Sequence, residues 1–332
     1  RSPVHPNDHV NLGQSSNDVI PTVIHLAALM DIKGSLMPAL ERLHVNLAEK
    51  AREFSGFKKI GRTHLQDAVP LTLGQEFSGF ARQVELGLQR VGGTERPLSE
   101  LALGGTAVGT GLNTHPDFAR KVIARISEYT GLDFREAVNH FEAQGAQDAA
   151  VEASGALKTV AVSLFKIAND IRWLASGPRF GLGEIILPEL QPGSSIMPGK
   201  VNPVLPEVVI QAAAQVIGND AAVTLGGAGG FFQLNTMLPL IAHNLLQSIE
   251  IMTSAVEVFA RNCVAGITYN EHSQAANLER SLSLAAHLVP AIGYDRAAAV
   301  AKEAYQTGRT IREVALDQGV LSREKLDQLL KT

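Results

Sequence analysis

The sequence predicts an all-α protein, an elongated antiparallel bundle of long helices followed by a small helical C-terminal domain. Three observations carry this. Five long segments show apolar residues recurring in alternating steps of three and four, the period of one helix face. No stretch alternates apolar and polar residues in the manner of a half-buried strand. Near Asn270 the segments become shorter and more charged, broken at Gly293, Gly308 and Gly319. The expected divisions are 1–14 as a leading linker, 15–269 as the bundle and 270–332 as the C-terminal domain.

In chain order, Ser15, Ser16, Asn17 and Asp18 offer N-caps, and Pro21 is expected in a first turn, where a missing amide costs little. Leu29, Ile32, Leu36, Leu40, Leu43 and Leu47 then continue one face. A helix running from the Ser15–Asp18 caps to Lys50 is about 50 Å long at 1.5 Å per residue, and Pro38 is expected to bend it. Gly61 to Asp67 reads as a loop. A second helix presents Leu73, Phe77, Phe80, Val84 and Val91 and stops at Gly92-Gly93. A glycine-rich connection from Leu103 to Thr114 leads to a shorter helix carrying Phe118, Val122, Ile126 and Tyr129. From about Glu142 a long helix runs through Leu157, Leu164 and Ile171 and ends before Gly177-Pro178. Two more follow, from Pro206 to Val223 and from Asn235 to Val264, and Ser322 caps a last helix through Leu330. Some of these helices, such as Ala161 to Ala168, are apolar on more than one face and need a covering surface. Copies of the same chain supply it most simply, so a homo-oligomer is expected.

Between two of the long helices lies Pro192-Gly193-Ser194-Ser195-Ile196-Met197-Pro198-Gly199-Lys200-Val201-Asn202-Pro203. Its prolines lack backbone donors and its glycines admit unusual dihedrals, so it reads as an ordered loop rich in hydroxyl, amine and amide groups. A nucleotide-binding P-loop is excluded. Five residues rather than four separate Gly193 from Gly199, Val201 replaces the magnesium-binding hydroxyl, and Pro198 removes an amide.

Bulk properties narrow the partners. The 332 residues suffice for one large or two ordinary domains. A net charge of -4 and a pI near 6.2 give no electrostatic case for nucleic acid or an anionic membrane. Cys263 is the sole cysteine, which fits a reducing compartment such as the cytoplasm and rules out a cysteine metal cluster. No unbroken apolar run approaches the roughly 20 residues of a membrane span. The opening Arg1-Ser2-Pro3-Val4 has neither an initiator methionine nor the character of a signal peptide, and a preceding segment is expected.

Three polar clusters stand against these apolar helices: Ser15-Ser16-Asn17, Thr63-His64, and Ser194-Ser195 with Lys200 and Asn202. Neutral donors, one amine and one imidazole at helix starts suit a small dianion, because helix N-termini attract carboxylates. No metal-ligand spacing, carboxylate pair or Ser-His-Asp order competes.

Gly193-Ser194-Ser195, Met197-Pro198, Lys200 and Asn202-Pro203 together resemble the GSSxMPxKxNP loop of the fumarase/aspartase superfamily. Gln14 to Asp18, Gly61 to Ala68, Gly104 to Asn113 and Lys166 to Leu174 resemble, within it, the class II fumarase family, and His64 stands where aspartases typically carry Gln. The resemblance implies a homotetramer with each active site shared by three subunits, and reversible trans hydration of fumarate to L-malate without a cofactor or metal. It implies Ser194 as the base on carbon and His64, oriented by Glu207, as the group activating water. Ser15, Ser16, Asn17, Thr63, Ser195, Lys200 and Asn202 are implied in substrate binding. His5, Asn7 and Asp8 resemble that family's second dicarboxylate site. Departures exist. The family's Gly-Ser-Gly-Thr segment, which grips a substrate carboxylate, lies in an N-terminal domain that this sequence lacks. Gln233 replaces a usual Glu, and Val69 and Leu205-Pro206-Glu207 lean toward aspartase. Aspartate ammonia-lyase and a catalytically silent structural relative are therefore the alternative expectations.

Overall fold

The computed structural model describes residues 2–330, with side chains for all of these except 272–276. Contacts divide the chain into two compact units, one formed by residues up to 44, 82–170 and 202–263, the other by 45–81, 171–201 and 264 onward. The long helices are α1 (Ser16–Asp31), α2 (Met37–Glu53), α3 (Leu73–Gly93), α4 (Phe118–Thr130), α5 (Asp148–Leu174), α6 (Val204–Gly227) and α7 (Leu238–Asn262). The fold is all-α, a bundle of long helices, as the periodicity predicts.

In the first unit, the predicted face of α1 is buried at Ile24, Ala28 and Leu29 and continues through Ile32, Leu36, Leu40 and Leu43. Each such side chain contributes roughly 1.5–3 kcal/mol relative to exposure. Leu157, Val160, Leu164 and Ile167 of α5 and Ile241, Leu245, Ile249 and Val256 of α7 complete this core. Helices α6 and α7 pack along one another, closely enough at Gly226 that a Cβ there would lie 2.7 Å from Ile241 Cγ1. A buried polar set sits in the same pair. Asn219 Nδ2 donates to Gln247 Oε1 at 3.0 Å and Ser248 Oγ at 3.1 Å, so the two helices have one register in which these groups are satisfied.

The second unit is built on an aromatic cluster: Phe54 meets Phe77 edge-on at 5.3 Å, and Phe57 stacks on Tyr269 at 4.1 Å. Beside it lies an antiparallel hairpin, β1 (Lys58–Thr63) and β2 (Gln66–Thr72). Toward the C-terminus, α8 (Tyr294–Thr307), α9 (Ile311–Asp317) and α10 (Arg323–Leu329) enclose Leu284, Leu288, Val300, Ile311, Val314 and Leu326. Ser322 caps α10 as predicted, accepting from the Lys325 amide at 3.3 Å.

Several expectations are corrected. The segment read as a loop at Gly61–Asp67 is largely the hairpin, and three further two-stranded pairs of two-residue strands occur among the described residues. The alternation was hidden because a bulge shifts the register between Ile60 and Arg62. Pro21 is buried inside α1 rather than in its first turn, since Ser15 is the N-cap. The Asn17 carbonyl thus lacks its usual i+4 amide. Pro38 is preceded by a single π turn, Ile32–Leu36, where the ladder that proline interrupts is accommodated. The helix expected from Glu142 is two: His140–Gly145, capped by Asn139, then an extended Ala146 before α5. By length and composition Ser16–Glu53 and Val204–Gly227 could also cross a bilayer, which a search for unbroken apolar runs overlooks. Each is an apolar bundle helix with exposed residues such as Val23, Met30, Val208 and Leu225.

Candidate active site

Ser194 lies in the irregular segment after the Ile185–Ile186 strand, half-buried, with Ser195, Ile196, Met197 and Lys200 exposed around it. Its Oγ accepts two backbone amides, from Ile196 at 3.3 Å and Met197 at 3.2 Å. The loop folds this way because Pro198 ends any regular ladder and Gly199, at φ +80°, turns the chain so that the Lys200 amide reaches the Met197 carbonyl at 3.2 Å. Two amides on one hydroxyl oxygen favour the form of that oxygen with more negative charge. Asn202 precedes α6 and Glu207 lies in its first turn, both half-buried.

Thr63 closes β1 and His64 opens the two-residue turn to β2, both exposed. His64 and Leu65 both have positive φ, 54° and 59°, the geometry of a type I′ turn that normally takes Asn-Gly. Holding a branched Leu there costs energy, so the surrounding structure must over-determine the turn. The hairpin's base shows how. Lys59, 2% exposed, places Nζ 2.8 Å from Glu76 Oε2, and Arg62 Nη1 lies 2.6 Å from Glu184 Oε1. Glu184 Oε2 is 3.0 Å from the same Lys59 amine, held by charge and not by an aligned hydrogen bond. Gly61 completes the base, for a Cβ there would lie 2.6 Å from the Val69 carbonyl oxygen.

Ser15 is the N-cap of α1, its Oγ accepting the Asn17 amide at 3.2 Å, and Ser16 is exposed beside it. Asn17 Nδ2 donates to the Ala107 carbonyl at 2.7 Å, which ties this cluster to the glycine-rich connection. Asp18 strengthens the tie. Fully buried, it accepts the Ser15 amide at 3.0 Å through Oδ1, and the Gly104 and Thr106 amides at 3.0 and 2.9 Å through Oδ2. Asp18→Ala orphans all three donors and is expected to lower stability by about 2–3 kcal/mol. The shift of the urea midpoint measures it; a midpoint equal to the parent's would contradict the anchoring role.

His5 caps a π turn, Pro6–Val10, its Nδ1 accepting the Asn7 and Asp8 amides at 3.2 Å each. An Nδ1 that accepts two donors carries no proton, so the Asp8 carboxylate 3.3 Å away is a neighbour and not an ion-pair partner of that nitrogen.

The three predicted clusters thus survive as local structures: a capped helix start, a strained turn and a hydroxyl in an amide cradle. Among the described residues no hydrogen bond joins Ser194 to His64. Sequence reading expects loop amides at Ser194 without assigning them to Ile196 and Met197, and it misses Asp18 as an anchor and the Lys59–Glu184–Arg62 base. A lone acid amid glycines in Gly181-Leu182-Gly183-Glu184 was the available signal for the last.

Comparison with known proteins agrees with this reading. A lyase family model matches residues 2–218, and a model of the fumarase C C-terminus matches residues 284–332. The class II fumarate hydratase of Nitrosomonas europaea is 56% identical over 324 residues, covering 98% of this chain and 70% of that protein. The mitochondrial fumarate hydratase of Rhizopus oryzae is 54% identical over 331 residues, covering all of this chain and 67% of that protein. Among solved structures, a class II fumarase from Schistosoma mansoni superposes with a TM-score of 0.96 at 38% identity, covering 99% of this chain and 72% of that one. A fumarate lyase:delta crystallin from Brucella melitensis, bound to cobalt, superposes with a TM-score of 0.93 at 47% identity, covering 99% of this chain and 71% of that one. The chain belongs to the class II fumarate hydratase family of lyases.

Proposed function

We propose that the chain catalyses the reversible trans hydration of fumarate to L-malate, with Ser194 as the base on carbon and His64 activating water. In the dehydrating direction, Ser194 Oγ takes the proton next to a carboxylate, and the electron pair left on carbon spreads into that carboxylate. The adjacent carbon–oxygen bond then breaks, and His64 delivers a proton to the departing hydroxide. Hydration runs the same steps backward. A serine hydroxyl is far too weak a base by itself, so the observation that carries the reading is its amide cradle from Ile196 and Met197. Lys200 adds positive charge and, with Asn202, takes the carboxylate as charge builds in it. Glu207 is the residue that orients His64 in this reading. Ser15, Ser16, Asn17, Thr63 and Ser195 position the dianion, with the α1 N-terminus favouring its charge. His5, Asn7 and Asp8 form a second dicarboxylate site.

We assign the assembly as a homotetramer whose sites draw residues from three subunits, working in the cytoplasm without a cofactor. Exposed apolar side chains on long helices, Val162 and Leu225 among them, support self-association. The separate apolar cluster beyond Leu284 supports a division into a 15–269 bundle and a 270–332 C-terminal domain.

Absorbance at the fumarate band, falling with fumarate as substrate and rising with L-malate, tests the activity. Turnover with L-malate and none with L-aspartate is expected; the reverse would make the chain an ammonia-lyase, and silence toward both a structural relative. Lys200→Ala is expected to lower kcat by about 100- to 1000-fold, as for a lost oxyanion donor. Near-normal turnover in that variant refutes the role of Lys200.

A further inference from the structure

A cavity of about 420 Å³ opens in the first unit, lined by His25 of α1, by Arg96 and Glu100 after α3, and by the chain around the start of α5. Its volume falls in the range of small-molecule sites, roughly 300–1,000 Å³. None of its residues belongs to the clusters assigned above.

Gln147 lines this cavity although it is only 2% exposed, and neither its Oε1 nor its Nε2 has a hydrogen-bond partner. A buried primary amide with both ends unmet is costly and rare, and it marks a place built to receive something polar. The cavity's charge says what. Glu142, Asp148 and Glu152 stand exposed in its wall, and among the described residues none of them makes an ion pair. Glu100 is paired with Arg135, at 3.0 Å, and Arg96 is the one permanently charged cation among the lining residues. Partial desolvation in the wall, with the charges of Asp148 and Glu100 adding, holds the Glu142 carboxyl above its ordinary range, and a bound cation relieves the repulsive part. Burial pushes the His25 imidazole down, so it stays neutral at physiological pH. Its Nδ1 sits 2.8 Å from the Glu100 carbonyl oxygen, which can only accept, so Nδ1 carries the proton.

Acceptors outnumber donors in this wall, where only Arg96 and Gln147 Nε2 donate, and that balance suits a cationic ligand rich in N–H groups. It does not match a metal ion, for no three metal-ligating side chains converge among the described residues. We propose that this cavity binds a small aliphatic amine or guanidinium compound, held by Glu142, Asp148 and Glu152 with Gln147 Oε1 as a neutral acceptor.

Titration of the full chain with agmatine, by calorimetry at fixed ionic strength set with sodium chloride, tests this. Saturable binding at a single site with a Kd below about 1 mM is expected. Glu142→Gln combined with Glu152→Gln removes two exposed charges without touching the core and is expected to weaken binding about tenfold or more. Gln147→Leu, checked for intact helical circular dichroism, is expected to weaken it as well. Absence of saturable heat up to about 10 mM overturns the site. So does equal affinity in the Glu142→Gln/Glu152→Gln chain, or tight binding of magnesium with none of agmatine.

Discussion

Ser194→Ala is expected to lower kcat for malate dehydration by about 10²- to 10⁴-fold with KM changed far less, the loss typical of a missing general base. The split follows from where the oxygen acts. The carboxylates of the substrate are assigned to Lys200, Asn202 and the α1 cluster, all of which the substitution leaves in place. Oγ is the acceptor of the Ile196 and Met197 amides, at 3.3 and 3.2 Å, and each such bond to a charged oxygen contributes roughly 1.5–3 kcal/mol, or one to two pKa units. Those amides exist before substrate arrives and need no reorganisation. Ser194→Cys separates base from scaffold, since a thiolate can accept the same amides. Fumarate formation from L-malate in all three chains is the measurement. Turnover in Ser194→Ala above about a tenth of the parent's would remove this serine as the base.

Glu184→Gln is expected to cost about 3–5 kcal/mol of stability, the largest loss predicted for a single substitution here. Lys59 is 2% exposed and Arg62 lies partly buried, so a neutral amide leaves Arg62 without its carboxylate and Lys59 with Glu76 alone. The reverse substitution is milder: Lys59→Met combined with Glu184→Gln removes one buried charge of each sign and should recover part of the loss, which a double-mutant cycle measures. Additivity of the two single effects would show that the pair is not coupled. The same base holds the strained His64–Leu65 turn, so Glu184→Gln chains that remain folded at low temperature should also lose kcat.

How much was legible in the sequence depended on the range of the interaction. Helices announce themselves through contacts three and four residues apart, and the apolar spacing of α1, α3, α5 and α7 was readable to within a few residues. The signature loop was readable because its prolines and glycines forbid regular structure locally. The hairpin was not, because its bulge at Gly61 and its His-Leu turn carry neither alternation nor the usual turn residues. The break between His140–Gly145 and α5 was missed because it holds no proline, and Gly145 and Ala146 do not by themselves stop a helix. Pro21 was misplaced because choosing among adjacent hydroxyl and amide caps depends on where Asp18 finds its partners, 86 and 88 residues away.

Local chemistry alone therefore specified the helical class, the position of the serine loop, and the presence of hydroxyl, amine and imidazole groups suited to a dianion. Tertiary structure decided that Ser194 sits under two amides, that His64 rides a turn braced by buried Lys59 and Glu184, and that Gln147 faces a cavity with neither end of its amide met. The reason is physical. Periodicity and turn chemistry act between residues a few positions apart, whereas burial and the pairing of charges are set by segments that meet only once the chain has folded.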